Sequence, residues 1–437
     1  PAGAGKTSLA EAMLFASGAI ARQGAVAAGT SVGDASAEAR ARGGSTELNL
    51  MRFEWLGDTF ILADSPGSPG FSADAGLAIL AADLALVVID ADPARAALVE
   101  PILRWLEAKG VPHALFVNKI DQARGTIEEL LEALQPMSAA ALVARQIPIR
   151  KGEAVAGFVD LALERAYLYQ PGKPSAQIPI AEEMQDEEKS ARFHMLEQLA
   201  DHDDTLLEQL ISDETPSLET IFGDLASETR QGLVVPVLFG SALGGFGVRR
   251  LLKMLRHDAP PASATAARLG IEAPAAQVFK VLHGSSVGRL ALARVFGGPL
   301  IEGAEVSANG GKARSGALFT LQGAATTKVG RAEAGDVIGI AKADSIRSGE
   351  LVGLNGKAPG AAIAVDRPLT NCALAIAAAD HKDDVRLSTS LARMTEEDPG
   401  IRWGQDEASR ETLLHGINDE HLAVVLGRLY DAIECEG

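Results

Sequence analysis

The sequence predicts an α/β P-loop domain with an insert, followed by an antiparallel β barrel and a partial ferredoxin-like α+β domain. Three observations carry that expectation. Up to about residue 146 short apolar strands alternate with helices, the mark of a parallel sheet with crossover helices. After the Pro- and Ala-rich linker "HDAPPASATAA" the style changes to short strands and Gly turns. From about Arg367 the order becomes strand, helix, hairpin, helix, the start of a split βαβ unit.

The first element is "PAGAGKTSLAEA", a Gly-rich turn running into the helix "KTSLAEAMLFASGAI", whose apolar residues have helical spacing. Such a turn points backbone N–H groups at an anion, and the helix dipole favours negative charge there. Gly3 and Gly5 supply the turn, Lys6 would reach the β and γ phosphates, and Thr7 would place a hydroxyl on Mg²⁺, with Ser8 next to it. The pattern needs a glycine one place before Pro1. With no initiator Met, the chain reads as truncated at its start. Read alone, the stretch also fits a plain turn before an ordinary helix.

Three strands follow. "DTFILADSPG" is apolar and ends in Asp64, where a P-loop enzyme puts the carboxylate that holds Mg²⁺ through its water shell. "ALVVID" and "HALFVNKID" are buried strands, and Asn118 and Asp121 fall at the carboxyl end of the latter, where open α/β sheets bind ligands. The Asp121 carboxylate can accept two hydrogen bonds from guanine N1 and N2, whereas adenine offers no such donor pair, so GTP is expected over ATP. Lys119 would lay its stem along the base. "FGSAL" would complete the pocket, with the N–H groups of Ser241 and Ala242 near guanine O6 and Leu243 closing the loop. These motifs, in this order and each at a strand end, leave little room for unrelated turns.

Composition bounds the rest. The 437 residues allow two to four domains. A net charge of −18 disfavours loose electrostatic attachment to nucleic acid, so any such contact must be local. Cys372 and Cys435 are far apart and imply neither a disulfide framework nor a zinc site. No apolar run reads as a membrane span.

Domain organisation is expected as follows: a nucleotide domain over 1–260 with an insert at about 147–232, a barrel over 261–365, and an incomplete ferredoxin-like unit over 366–437. In the insert "AVAGFVDLALERAYLY" looks like strands and "EEMQDEEKSARFHMLEQLADHDDTLLEQLI" like charged helices with solvated faces. "AQVFKVLH", "GRLALARVF", "EVSANGGKA" and "GDVIGIA" are the barrel strands, with turns at "FGGP" and "ANGG".

On "GKTSLAEAMLF", "DSPGSPGF", "FVNKID", "DDTLLEQL", "PVLFGSALGGFGVRRLL", "EEDPGIRW" and "HGINDEHLAVVLGRL", the chain resembles bacterial elongation factor G and its elongation-factor-G-like paralogues over essentially its whole length. The resemblance implies a ribosome-dependent translational GTPase that uses GTP/GDP and Mg²⁺, a cytoplasmic monomer; full-length relatives carry two more domains beyond this point.

The resemblance also exposes two departures. Relatives read R-G-I-T in the first switch, with the threonine on Mg²⁺; here "ARGGSTELNL" puts Ser45 in that place, with Thr46 beside it and a loosening Gly44 before it. Relatives competent in hydrolysis place a histidine directly after D-x-P-G to position the attacking water. Here that place is Ser68, followed by Pro69. Gly67 would still offer its N–H to the γ phosphate. His113 stands at the wrong end of its strand to substitute, and His421 matches a position that reads as packing. The catalytic set is therefore Lys6, Gly67 and Ser68, with hydrolysis expected to be weak. Two other readings stay open: a non-hydrolysing, GTP-gated ribosome-binding module, and a ribosome-protection or peptide-release GTPase.

Overall fold

The computed structural model describes the chain except for Ala273 and residues 285–286, 309–310, 355–359 and 436–437. The turn expected at "ANGG" falls partly outside the described residues. The chain divides into two compact units: residues 1–25, 53–60 and 82–261, and residues 26–52, 61–81 and 262–437.

The first unit is built on a parallel sheet in the order Ala85–Asp90, His113–Asn118, Val234–Phe239, Ala141–Ala144. All six residues are buried in each of the two central strands, which is why they read as continuous apolar runs rather than alternating ones. The register pairs Asp90 with Asn118 and Val117 with Phe239, so the carboxyl ends of three strands finish level with one another. Helices Lys6–Ser17, Glu100–Ala108, Ile127–Leu134 and Val248–Asp258 belong to the same unit. The third of these starts at a capping box between Thr126 and Glu129.

The expected insert is an antiparallel meander of strands Gln146–Lys151, Ala154–Asp160, Arg165–Gln170 and Lys173–Ile178. Helices Gln185–Ala200, Asp204–Ile211 and Leu218–Gln231 follow it. Its start is tied to the helix Val248–Asp258 by Arg145 and Asp258, paired at 2.7 Å with each side chain only 1% exposed.

Within the insert, burial lifts the pKa of Glu228 to about 8, with the carboxylates of Asp224, Asp203 and Asp201 adding to it, and burial with the Asp203 carboxylate lifts that of Asp224 to about 6. A carboxyl that binds its proton more tightly when folded contributes stability below its ordinary pKa, lost as pH rises through the folded value. Between pH 4.5 and about 8 the melting temperature of the insert is therefore expected to fall. Glu228→Gln should raise it at the alkaline end and leave it unchanged at the acid end, as thermal melts across that range would show.

The second unit contains the barrel. Its eight-stranded sheet runs in the order Gly311–Arg314, Glu305–Ala308, Leu351–Leu354, Ala275–Gly284, Gly288–Phe296, Val337–Ala341, Leu318–Gln322, Ala325–Val329. The turn at "FGGP" has Gly297 at φ 70° and Gly298 at φ 157°. Also in this unit, strands Cys372–Ile376, Thr412–Gly416 and Arg402–Gln405 form an antiparallel sheet in that order, with helices Asp384–Glu397 and Asp419–Cys435. That is the expected strand-helix-strand-strand-helix order, with Leu391, Leu414 and Val425 at its core.

Residues 26–52 and 61–81 belong to the second unit because they pack on the barrel. Leu48, Leu50, Ala78 and Ala81 share an apolar cluster with Phe279, Leu290 and Leu292. The Asp74 carboxylate pairs with buried Lys280 and accepts from the Leu48 N–H at 2.7 Å.

Candidate nucleotide site

The phosphate loop, the "NKID" turn and the "GSAL" loop all lie in the first unit. The helix Lys6–Ser17 opens on Gly5, left-handed at φ 87° with no side chain capping the first turn. Gly3, at φ 73°, makes the turn before it. Thr7 is buried in the first turn, beside Lys6 and Ser8.

Asn118 is the strut of this site. Its Nδ2 donates to the Ala4 carbonyl at 2.8 Å, and its Oδ1 accepts from the Ala242 N–H at 2.9 Å. One buried amide thus joins the phosphate loop to the guanine loop. A Cβ on Gly5 would come within 2.4 Å of Asn118 Nδ2, which fixes glycine there by space as well as by φ.

Lys119 sits in the left-handed region at φ 60°. Its Nζ donates to the Gly3 carbonyl at 2.6 Å and pairs with Asp90 at 2.7 Å. Arg95 repeats the pattern, pairing with Asp90 at 2.6 Å and donating to the Ala2 carbonyl at 3.0 Å. Sequence reasoning missed Asp90 and Arg95. Their signal is the carboxylate that ends "ALVVID" at the level of Asn118. Asp121 is exposed on the same turn, its carboxylate accepting from Gln122 Nε2 at 3.5 Å.

One expectation is corrected. The N–H groups of Ser241 and Ala242 do not stand open for a guanine oxygen: Ser241 donates to the Phe246 carbonyl at 3.0 Å and Ala242 to Asn118. The turn closes on itself through the Ser241–Phe246 bridge, and Ser241 Oγ accepts from the Gly244 N–H at 3.2 Å. The Leu243 side chain is 69% exposed. His113 starts its strand as expected, buried, with burial pushing its pKa down.

The remaining predicted residues belong to the second unit. Asp64 is buried at the end of the strand Asp58–Asp64. The Ser45 hydroxyl donates to Asp34 Oδ2 at 3.0 Å, and Asp34 Oδ1 accepts from Asn49 Nδ2 at 2.9 Å. Thr46 accepts from Arg428 Nη2 at 3.0 Å, and Arg428 also pairs with Glu38. Both hydroxyls that could serve Mg²⁺ are thus engaged by protein groups.

Ser68 precedes a 3-10 turn with Pro69 at its first position, and its hydroxyl donates to Glu420 Oε2 at 3.0 Å. Glu420 pairs in addition with Arg42, whose guanidinium lies 5.6 Å from the centre of the Phe71 ring. His421 is packing, as expected. It is 1% exposed, its Nδ1 accepts from the Ile417 N–H at 3.1 Å and its Nε2 faces Asp398 at 2.8 Å. With Nδ1 accepting, the proton sits on Nε2 and is directed at the carboxylate. Glu420 and Arg428 were not legible in advance, because their partners Ser68 and Thr46 lie far away in the chain; Asp34 was missed although Ser45 and Asn49 are near it in sequence. Among the described residues no cluster of His, Cys, Asp and Glu stands ready to hold a metal, and no helix is long and apolar enough to cross a membrane.

Comparison with known proteins fits this geometry. The family described as the elongation factor Tu GTP-binding domain matches residues 1–261, and that described as elongation factor G domain III matches 367–436. An elongation factor G-like protein of Synechocystis is 37% identical over 98% of this chain and 64% of its own. Elongation factor G 2 of Streptomyces coelicolor is 29% identical over the same shares. A crystal structure from Thermus thermophilus superposes with a TM-score of 0.89 at 29% identity, covering 98% of this chain and 64% of that one. The chain thus spans 64% of the length of the relatives it matches. With that GTP-binding model covering residues 1–261, more than half of the chain, the protein belongs to the family described as the elongation factor Tu GTP-binding domain, and along nearly its whole length it is similar to elongation factor G-like proteins.

Proposed function

We propose that this chain binds Mg·GTP and acts on the ribosome as the GTP-binding part of an elongation-factor-G-like factor, hydrolysing GTP slowly. The observation that carries the reading is the Asn118 strut between phosphate loop and guanine loop. Gly3, Gly5, Lys6, Thr7 and Ser8 would cradle the phosphates; Asn118, Lys119 and Asp121 would hold guanine, with Asn118 bracing the Ser241–Leu243 loop through the Ala242 N–H. Thr7 and Asp64 are hard oxygen donors suited to Mg²⁺, which would neutralise charge on the phosphates. Ser45 is the third oxygen donor that this reading assigns to Mg²⁺. Domain boundaries near 260 and 366, a cytoplasmic site of action and a monomeric state go with this reading.

The test is GTP turnover with and without ribosomes, run beside Mg·GTP binding. Ribosome-stimulated turnover supports the reading. Tight binding without stimulated turnover favours the second reading, a GTP-gated ribosome binder, whose specific support is the Ser68 hydroxyl held by Glu420. Base choice has its own test. Asp121→Asn is expected to weaken GTP at least tenfold, about 1.4 kcal/mol for one charge-assisted contact. Unchanged competition between GTP and ATP would sink the guanine assignment.

A further inference from the structure

A second concavity lies wholly within the first unit. It is a groove of 1160 Å³ between the helix Lys6–Ser17, the hairpin tip at Trp55 and Leu56, the insert and the helix Val248–Asp258. That exceeds the roughly 300–1,000 Å³ of a small-molecule site. Phe15, Trp55, Phe158, Tyr167 and Phe222 line it, in a chain only 4% aromatic. Phe15 is 44% exposed at its rim and Leu56 58%.

Its charge is of one sign. Lys173, Arg249, Arg250 and Lys253 line it, and among the described residues no aspartate or glutamate does. Yet the chain carries 58 Asp and Glu against 40 Lys and Arg, so this wall runs against the overall charge. Arg249 and Lys253 stand one turn apart on the exposed side of their helix. Neither they nor Lys173 form an ion pair among the described residues. Arg249 lies instead 5.2 Å from the centre of the Trp55 ring. Arg250 spends one edge on Asp160 and keeps a buried Nη2 with no hydrogen-bond partner.

The rings themselves choose between anionic ligands. Phe158 and Tyr167 stack on each other at 5.2 Å, and Arg249 covers Trp55, so these rings form a wall rather than a row of open faces on which bases could stack. We propose that the groove is the docking site for an acidic amphipathic segment of a partner protein, bound as a helix. Its apolar face would enter between Phe15, Leu56 and Tyr167, and its carboxylates would meet Lys173, Arg249 and Lys253. This site is independent of whether the chain hydrolyses GTP.

The test uses a labelled synthetic peptide of about five helical turns, leucines on one face and glutamates on the other, followed by fluorescence anisotropy. Binding should weaken about tenfold or more in the exposed double variant Arg249→Glu/Lys253→Glu and, separately, in Leu56→Asp, with melting temperatures unchanged. A scrambled peptide of the same composition should bind at least about tenfold more weakly. Equal binding of the scrambled peptide, or affinity indifferent to the charge reversal, would overturn the proposal. So would an oligouridylate that binds the groove more tightly than the peptide, which would make it a nucleic-acid site.

Discussion

Gly5→Ala is expected to lower GTP affinity by about a hundredfold. Two costs add. A non-glycine residue in the left-handed region loses about 1 kcal/mol or more, and Gly5 stands at φ 87°. The new Cβ would also lie 2.4 Å from Asn118 Nδ2. A flexible side chain would swing away at small cost, but Asn118 is 2% exposed and hydrogen-bonded at both ends, to Ala4 and Ala242. Displacing it loses about 1 kcal/mol at each. Together these approach 3 kcal/mol, or about a hundredfold in binding. The loop can relieve the strain by relaxing locally, so the penalty is met when nucleotide requires the native loop. Gly18→Ala is the control. It carries the same backbone strain at φ 83° but has nothing within 4 Å, so it should cost some stability and leave GTP affinity alone. Titration of a fluorescent GTP analogue into both variants decides it, and equal affinities would remove Asn118 from its bridging role.

Asn118 also shows what could be read from the sequence and what could not. "NKID" at the end of an apolar strand placed the residue at the ligand-binding edge of the sheet, because strand ends and parallel topology follow from local pattern. Its use as a strut did not follow, since that depends on the level at which three strands finish. The register pairing Asp90 with Asn118 sets that level, and the same register delivers Asp90 to Lys119 and Arg95. The ferredoxin-like order and the insert were legible for the same reason as the strands: hydrophobic periodicity is local. The environment of Ser68 was not. Its partner lies 352 residues away, and nothing in "DSPGSPGF" signals a carboxylate from the last helix.

That carboxylate governs what restoring a histidine would do. If position 68 faces the attacking water, as the proposed function has it, a positioned imidazole there would be worth about 10²–10⁴ in rate by the general scale of acid–base groups. Ser68→His alone is expected to recover little of it. The new imidazole would stand within reach of Glu420, which already accepts from Ser68 at 3.0 Å and pairs with Arg42. A neighbouring carboxylate favours the charged imidazolium and holds the ring toward itself, away from the water it should orient. Glu420→Gln keeps the side chain's length and an oxygen for Arg42 while removing that charge. The double variant Ser68→His/Glu420→Gln should therefore gain about 10² or more in ribosome-stimulated turnover over the parent, and each single variant should stay within about tenfold of it. The excess in the double variant is the coupling between position 68 and the last helix. If Ser68→His by itself matches the double variant, Glu420 does not hold that position. If neither variant gains turnover over the parent, position 68 does not limit it, and Ser45 with its bond to Asp34 is the next place to cut.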